Sequence, residues 1–133
     1  MSGLTAFCQS WAPRLLSVLR IVAGFCFLLH GAQKLLGFPA PFPRHVELFS
    51  LLGLAGTIEL VGGTLVLLGL FTRPAAFIMS GEMAFAYFMG HFPKSFWPVL
   101  NGGDAAVLYC FIFLYLAAAG AGPWSIDRAR NAA

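Results

Sequence analysis

Residues 46–71 read VELFSLLGLAGTIELVGGTLVLLGLF, an apolar run with a glutamate, Glu59, near its middle. A helix needs about 20 mostly apolar residues to cross a lipid bilayer, and this run is long enough. Similar runs occupy residues 15–36, 74–92 and 104–120, separated by breaks that contain proline or glycine. Transmembrane strands would alternate apolar and polar residues over about ten positions, whereas these runs are continuously apolar. The sequence therefore predicts an all-α, integral membrane four-helix bundle.

The composition also indicates a membrane protein. Of the 133 residues, 59% are hydrophobic and 10% are charged, and the mean hydropathy is +0.83. These values lie outside the usual range of soluble domains. Because four spans with short connections account for most of the chain, residues 1–133 are expected to form a single transmembrane domain. The eight Lys and Arg residues are scattered and form no basic stripe, so no nucleic-acid partner is predicted.

The basic residues predict the orientation of the chain in the membrane. With the N-terminus inside, five of them lie at cytoplasmic ends of the spans and three at outer ends, in agreement with the positive-inside rule. Both termini are therefore expected in the cytoplasm. Arg20 is interpreted as an anchor whose charged end snorkels to the membrane surface. The inner residues are Arg14, Arg20, Arg73, Arg128 and Arg130, and the outer ones are Lys34, Arg44 and Lys94.

Two glutamates, Glu59 and Glu82, lie near the middle of predicted spans. An ionisable side chain at that depth costs about 2.5–3.5 kcal/mol on insertion scales, so its retention indicates a function. Small residues surround Glu59 on its helical face, which predicts that it faces a neighbouring helix and not lipid. We predict that both carboxyls line one polar pocket that opens outward, where they handle protons. The alternative is a neutral hydrogen bond between helices, worth about 0.6–2 kcal/mol.

Six further residues are candidates for binding a substrate, and each also has a structural interpretation. His30 and Lys34 lie one helical turn apart and suit an anion or a carbonyl group; the alternative is a helix cap with a snorkelling lysine. Phe85 and Met89 share the helical face of Glu82 and would hold a ring; the alternative is packing. His91 and Asp104 lie nearer the outer surface, where the alternative is that they end helices.

No metal site is predicted. Cys8, Cys26 and Cys110 are widely spaced and form no C-x-x-C pair, and the three histidines lack paired ligand spacing. Neither a G-x-S-x-G motif nor a phosphate-binding glycine loop occurs. Hydrolase and nucleotide-binding functions are therefore not indicated.

Several short motifs follow one another along the chain. They are Leu19-Arg20, His30-Gly31-Ala32-Gln33-Lys34, Glu59 with Gly62-Gly63, Gly69-Leu70-Phe71-Thr72-Arg73-Pro74-Ala75-Ala76, Met83-Ala84-Phe85-Ala86, His91, Phe96-Trp97-Pro98, Asn101-Gly102-Gly103-Asp104 and Gly122-Pro123-Trp124-Ser125-Ile126-Asp127. In this order they resemble the DoxX family of small bacterial membrane proteins, with Asp104 standing where relatives commonly carry a glutamate. The resemblance implies a multi-pass, four-helix protein of the bacterial inner membrane. It also implies a family linked to quinone-coupled sulfur oxidation and to oxidative stress.

The leading functional hypothesis is a redox-associated membrane subunit. It binds a quinone headgroup in the polar pocket, the two glutamates handle the protons, and a redox partner protein supplies the electron-carrying centre. Whether the chain is an enzyme by itself or a component of a quinone-linked oxidoreductase stays open, and quinone is the one cofactor suggested. The main alternative is a non-catalytic scaffold or assembly factor for a partner protein, while proton-coupled movement of a solute ranks last. Membrane lipid and a second copy of the chain are the other expected partners.

Overall fold

The computed structural model describes residues 2–132, and within that range it contains helices, turns and loops but no strand. The helices are α1 Gly3–Leu36, α2 Leu51–Leu68, α3 Thr72–Ala86, α4 Pro98–Asn101, α5 Asp104–Ala119 and α6 Ile126–Ala132, and α3 continues into a π-helical turn at Tyr87–His91. Both α1 and α2 are long and apolar enough to cross a membrane, and α5 is a shorter apolar helix. The all-α prediction is confirmed.

The first two helices begin at residues other than those predicted. α1 begins at Gly3 and not near residue 15, because Ser2 caps its first turn. The polar residues between this first turn and the apolar run do not interrupt the helix. α2 begins at Leu51 and not at residue 46, because the Ser50 hydroxyl caps it by accepting a hydrogen bond from the Gly53 amide at 3.1 Å. The apolar runs show which segments suit lipid, whereas the capping residues decide where a helix starts.

Two short helices lie where breaks or tails were expected. α4 lies inside the predicted break at residues 93–103, where Pro98 occupies its first turn and Gly102, at φ +71°, ends it in the left-handed conformation. α6 follows the last predicted span and begins just before Asp127. A hydropathy pattern does not detect either helix because neither is long or uniformly apolar.

Glycines bring α1 and α2 into backbone contact. A Cβ at Gly31 of α1 would clash with the Leu60 amide nitrogen and would lie 2.7 Å from the Gly56 carbonyl oxygen. A Cβ at Gly63 of α2 would lie 2.6 Å from the Leu28 amide nitrogen. Small residues permit this close approach, which raises the van der Waals contact between helices. The prediction that a neighbouring backbone approaches the small-residue face around Glu59 is confirmed.

The other main helix pair is α3 with α5, and aromatic packing joins it to α1. Phe27 of α1 and Phe113 of α5 are fully buried, and their ring centroids lie 4.8 Å apart in an edge-to-face arrangement. Met79 of α3 and Val66 of α2 are fully buried in the same core. The four principal helices therefore share one apolar core, with α2 packed on both α1 and α3.

Arg20 is buried inside this bundle, with only 1% of its surface exposed. Its guanidinium donates four hydrogen bonds to backbone carbonyl oxygens, at 2.7 Å to Val66, 2.5 Å to Leu67, 2.8 Å to Ala121 and 2.5 Å to Trp124. The prediction that Arg20 snorkels to the surface is wrong, because backbone carbonyls at the end of α2 and in the segment after α5 accept hydrogen bonds from its guanidinium inside the bundle. This end of the bundle, where α2 ends and α3 begins, is named the Arg20 end.

Asp127 of α6 caps α3 at the same end. Its carboxylate accepts hydrogen bonds from the amides of Phe71 at 2.8 Å and Thr72 at 2.9 Å, and its own amide donates to the Gly69 carbonyl at 2.8 Å. Burial raises the pKa of Asp127. The hydrogen bonds from Thr72 and Phe71 and the charge of Arg130 lower the pKa by more than burial raises it, so the pKa lies below its ordinary value. The motifs around residues 69–76 and 122–127 are therefore the two halves of one capping arrangement.

Candidate functional site

Glu59 lies in the middle of α2 with 4% of its surface exposed, so the prediction that it faces protein is confirmed. Lys34, in the last turn of α1, donates to both carboxylate oxygens of Glu59, at 2.7 Å and 2.5 Å. The Lys34 ammonium also lies 5.7 Å from the centre of the Phe42 ring, which comes from the loop between α1 and α2. Lys34 and Glu59 thus form a buried ion pair that joins α1 to α2.

Glu82 of α3 lies near this pair. The charges of both Glu59 and Lys34 act on its carboxyl group, so the three side chains occupy one region, here named the carboxyl cluster. Both carboxylate oxygens of Glu82 are buried, and within residues 2–132 neither has a hydrogen-bond partner. Buried polar groups almost always have a partner, and each exception requires an explanation. Glu82 is therefore the group in this cluster with unused hydrogen-bonding capacity.

His30 lies one turn before Lys34 on α1, but its side chain is exposed. Its ring approaches Tyr109 of α5 edge-on, with the centroids 6.3 Å apart. The contact lies where α1 meets α5, and sequence reasoning did not single out Tyr109 because nothing in the apolar run of α5 distinguishes it. His30 thus lies at the border of the carboxyl cluster, with its imidazole open to the surroundings of the bundle.

The other four candidate residues lie outside the carboxyl cluster. Phe85 and Met89 are 62% and 54% exposed and face the surroundings of the bundle. The His91 ring stacks on Tyr87 with a 6.4 Å centroid separation, and its Nδ1 lies 3.1 Å from the Asn101 carbonyl oxygen. Asp104 is exposed in the first turn of α5.

Asn101 organises the loop between the π-helical turn and α5, a role that the sequence reasoning missed. It is buried, and its side-chain amide donates to the Tyr87 hydroxyl at 3.2 Å and to the Ser95 carbonyl at 2.8 Å. Its Oδ1 accepts a hydrogen bond from the Gly103 amide at 2.7 Å. His91 therefore belongs to a loop-ordering network whose sequence signal is the Asn-Gly-Gly turn.

An apolar groove of about 230 Å³ lies between α2 and α3 and is named the α2–α3 groove. On α3 its walls include Ile78 and Met79, and residues three or four positions later share their helical face. Glu82 is therefore the next residue on this face, on the side away from the Arg20 end. A second cavity, of about 580 Å³, lies at the Arg20 end, and neither cavity is lined by Glu59 or Glu82. The full lining of the groove is Thr57, Ile58, Val61, Gly62, Leu65, Ala75, Ile78 and Met79.

The model of the DoxX family matches residues 15–92, which run from α1 to the end of the π-helical turn. The chain belongs to the DoxX family. The whole carboxyl cluster lies inside the part of this DoxX protein that the family model matches. The resemblance found in the sequence motifs is confirmed.

Two relatives extend the similarity over most of the chain. An uncharacterized protein of Haemophilus influenzae is 44% identical over 124 residues, which cover 90% of this DoxX protein and 92% of the relative. An uncharacterized membrane protein of Mycobacterium tuberculosis is 33% identical over an alignment of 147 positions, which covers 90% of this chain and 87% of the relative. No solved structure matches this DoxX protein significantly. Together with the two long apolar helices, these similarities identify a DoxX-family membrane protein.

Proposed function

We propose that this DoxX protein is a multi-pass subunit of the bacterial inner membrane that binds a quinone beside Glu82 and exchanges protons with its headgroup. In this proposal α1, α2, α3 with its π-helical turn, and α5 cross the membrane, and both termini lie in the cytoplasm. The apolar character of these helices and the arginines at the Arg20 end support that topology. The observation that carries the function is the buried Glu82 carboxyl without a hydrogen-bond partner within residues 2–132, one helical turn along α3 from residues that line an apolar groove.

The chemistry of a quinone suits both parts of this site. Its isoprenoid tail is apolar and matches the α2–α3 groove, while its oxygens form hydrogen bonds with a carboxyl group. Reduction of a quinone to the quinol consumes two electrons and two protons. We assign the electrons to a partner oxidoreductase and both protons to Glu82, which donates the first, takes up a second proton from water and then donates that one. Phe85, one turn further along α3 and exposed, packs against the headgroup ring.

The Lys34–Glu59 pair has a supporting role in this proposal. Both oxygens of Glu59 accept hydrogen bonds from Lys34, so the two charges are paired with each other inside the protein, and we assign neither of them to the ligand. The pair places a fixed charge distribution next to Glu82 and thereby influences its proton exchange. His30 contacts Tyr109 where α1 meets α5, away from the α2–α3 groove, so the proposed quinone contact does not use it.

The test is equilibrium binding of a radiolabelled short-chain ubiquinone analogue to the protein in nanodiscs, with empty nanodiscs as background. Glu82→Leu is expected to lower the affinity at least about ten-fold, because it removes the polar partner of the headgroup. Glu47→Leu, at an exposed glutamate before α2, is the matched control and is expected to bind as the wild type does. Wild-type affinity in Glu82→Leu would refute the proposal.

The groove has its own test in the same assay. Val61→Trp fills the groove from α2, whereas Leu54→Trp adds the same side chain to an exposed position of α2 outside it. We expect loss of binding only for Val61→Trp. Equal binding by both tryptophan variants would show that the tail does not occupy the groove.

A scaffold or assembly function is the second candidate, and the loops supply the observation that favours it. Phe49 is fully exposed, and Phe38, Phe96 and Trp97 are also largely exposed at loop positions. Exposed aromatic residues are typical anchors of protein interfaces. If the scaffold function is the correct one, replacing Phe49 and Trp97 by serine abolishes the capture of a partner protein. Quinone binding stays unchanged in the same variant.

A further inference from the structure

The second cavity lies at the Arg20 end, where α3 begins, whereas Glu82 of the carboxyl cluster lies further along α3, away from this end. Its volume is about 580 Å³, and it is an open cavity bordered by the start of α3, the end of α5, the segment after α5 and α6. Two arginines, Arg73 and Arg128, line it together with Asp127 and Asn131. It is named the arginine cavity.

Arg73 is held in place at the cavity wall by the end of α5. Its Nη1 donates to the Ala117 carbonyl oxygen at 3.1 Å and to the Ala118 carbonyl oxygen. Its Nη2 lies 3.1 Å from the position that a Cβ would take at Gly120, so the guanidinium rests against a residue without a side chain. Nη1 makes all the hydrogen bonds that Arg73 donates within residues 2–132, so Nε and Nη2 have no hydrogen-bond acceptor among these residues.

The acidic residue in the cavity, Asp127, forms no salt bridge with these arginines. Both Asp127 oxygens are occupied by the amides of Phe71 and Thr72. Among residues 2–132 the one salt bridge joins Lys34 to Glu59, so neither Arg73 nor Arg128 is paired with a carboxylate. Two unpaired guanidinium groups in one cavity favour an anion, and the guanidinium geometry matches phosphate oxygens particularly well.

The surroundings of the cavity indicate which anion is at hand. Arg14 and Arg130 lie in the neighbouring segments, and Pro13 and Phe71 add an apolar part to the cavity wall. Under the proposed topology this end meets the cytoplasmic leaflet, whose anionic headgroups bind basic pockets between transmembrane helices. A phospholipid presents a phosphate beside apolar chains, which corresponds to this mixed lining.

We propose that the arginine cavity binds the phosphate group of an anionic phospholipid, with Arg73 and Arg128 as its ligands. Asn131 donates a further hydrogen bond from its amide. The site is distinct from the proposed quinone site, and the proposed topology enters only in the choice of the leaflet that supplies the lipid.

Native mass spectrometry of the full chain in mild detergent tests this site, with phosphatidylglycerol, phosphatidylcholine and inorganic phosphate as the three probes. We expect the wild type to retain phosphatidylglycerol at least about ten-fold more tightly than phosphatidylcholine. Inorganic phosphate at the same concentration is expected not to displace the lipid. Displacement by phosphate, or equal retention of the two lipids, would overturn the assignment to an anionic lipid.

Arg128→Gln is the main variant, because the Arg128 side chain is exposed and donates no hydrogen bond within residues 2–132, so the substitution removes no hydrogen bond from the fold and keeps the one from the Arg128 amide to Ser125. It is expected to lose most of the preference for phosphatidylglycerol, and Arg73→Gln combined with it is expected to lose all of it. Arg44→Gln removes an exposed arginine from the loop between α1 and α2 and is the charge-matched control. Unchanged preference in Arg128→Gln, or an equal loss in Arg44→Gln, would refute the proposed site.

Discussion

Replacement of Lys34 by methionine removes the hydrogen-bond donor of a carboxylate that is 4% exposed. Removing one partner of a buried ion pair typically destabilises a protein by about 3–5 kcal/mol, because the remaining charge is left uncompensated. Glu59→Gln leaves the Lys34 ammonium unpaired and is expected to have a cost of similar size. Replacing both partners of such a pair by uncharged groups is often nearly neutral. The double variant should therefore be less destabilised than the sum of the singles by at least about 2 kcal/mol.

The measurement is the free energy of unfolding in mixed micelles, followed by circular dichroism as the fraction of denaturing detergent rises. Lys94→Met, at an exposed lysine in the loop after the π-helical turn, is the control for loss of one cation. It should change the free energy of unfolding by no more than about 0.5 kcal/mol. Single variants whose costs are small and add within about 0.5 kcal/mol would refute the structural role of the Lys34–Glu59 pair.

Three further predictions concern the packing of the bundle and its Arg20 end. Arg20→Met removes the guanidinium hydrogen bonds of four backbone carbonyl oxygens, of which Val66 alone also accepts from a backbone amide within residues 2–132, and is expected to destabilise the fold by at least about 3 kcal/mol in the same unfolding assay. Asp127 has a lowered pKa, so its stabilisation is complete above about pH 4 and is lost as the pH falls through the pKa of the folded state. Asp127→Asn leaves one acceptor oxygen in place of the two that the Phe71 and Thr72 amides use, so it should cost about 0.5–1.5 kcal/mol at neutral pH and should abolish this part of the pH dependence of the melting temperature; an unaltered acid profile would contradict the capping role. Gly31→Ala pushes α1 away from α2 and should cost about 1–3 kcal/mol, whereas Gly81→Ala, where a Cβ meets nothing within 4 Å, should be neutral or stabilising; equal effects of the two substitutions would contradict the backbone contact.

The fold class and the environment of Glu59 could be predicted from sequence because both depend on local patterns. Continuous apolar runs exclude strands, and small residues on the Glu59 face allow a neighbouring backbone to approach. Helix starts were less predictable, since Ser2 and Ser50 set them through hydrogen bonds that hydropathy does not report. Arg20 was misinterpreted for a similar reason. Its carbonyl partners are distant in sequence, so no local pattern distinguishes a buried clamp from a snorkelling anchor.

The amino-acid sequence by itself determined that this DoxX protein is helical and apolar, and that carboxyl groups lie within its apolar segments. The tertiary structure alone decided that Glu59 pairs with Lys34 while Glu82 has no hydrogen-bond partner within residues 2–132. The physical reason is that the partner of a buried charge depends on the rotation and register of helices against one another. These quantities are set by packing between segments that lie far apart in the chain, and a periodic pattern within one helix does not contain them.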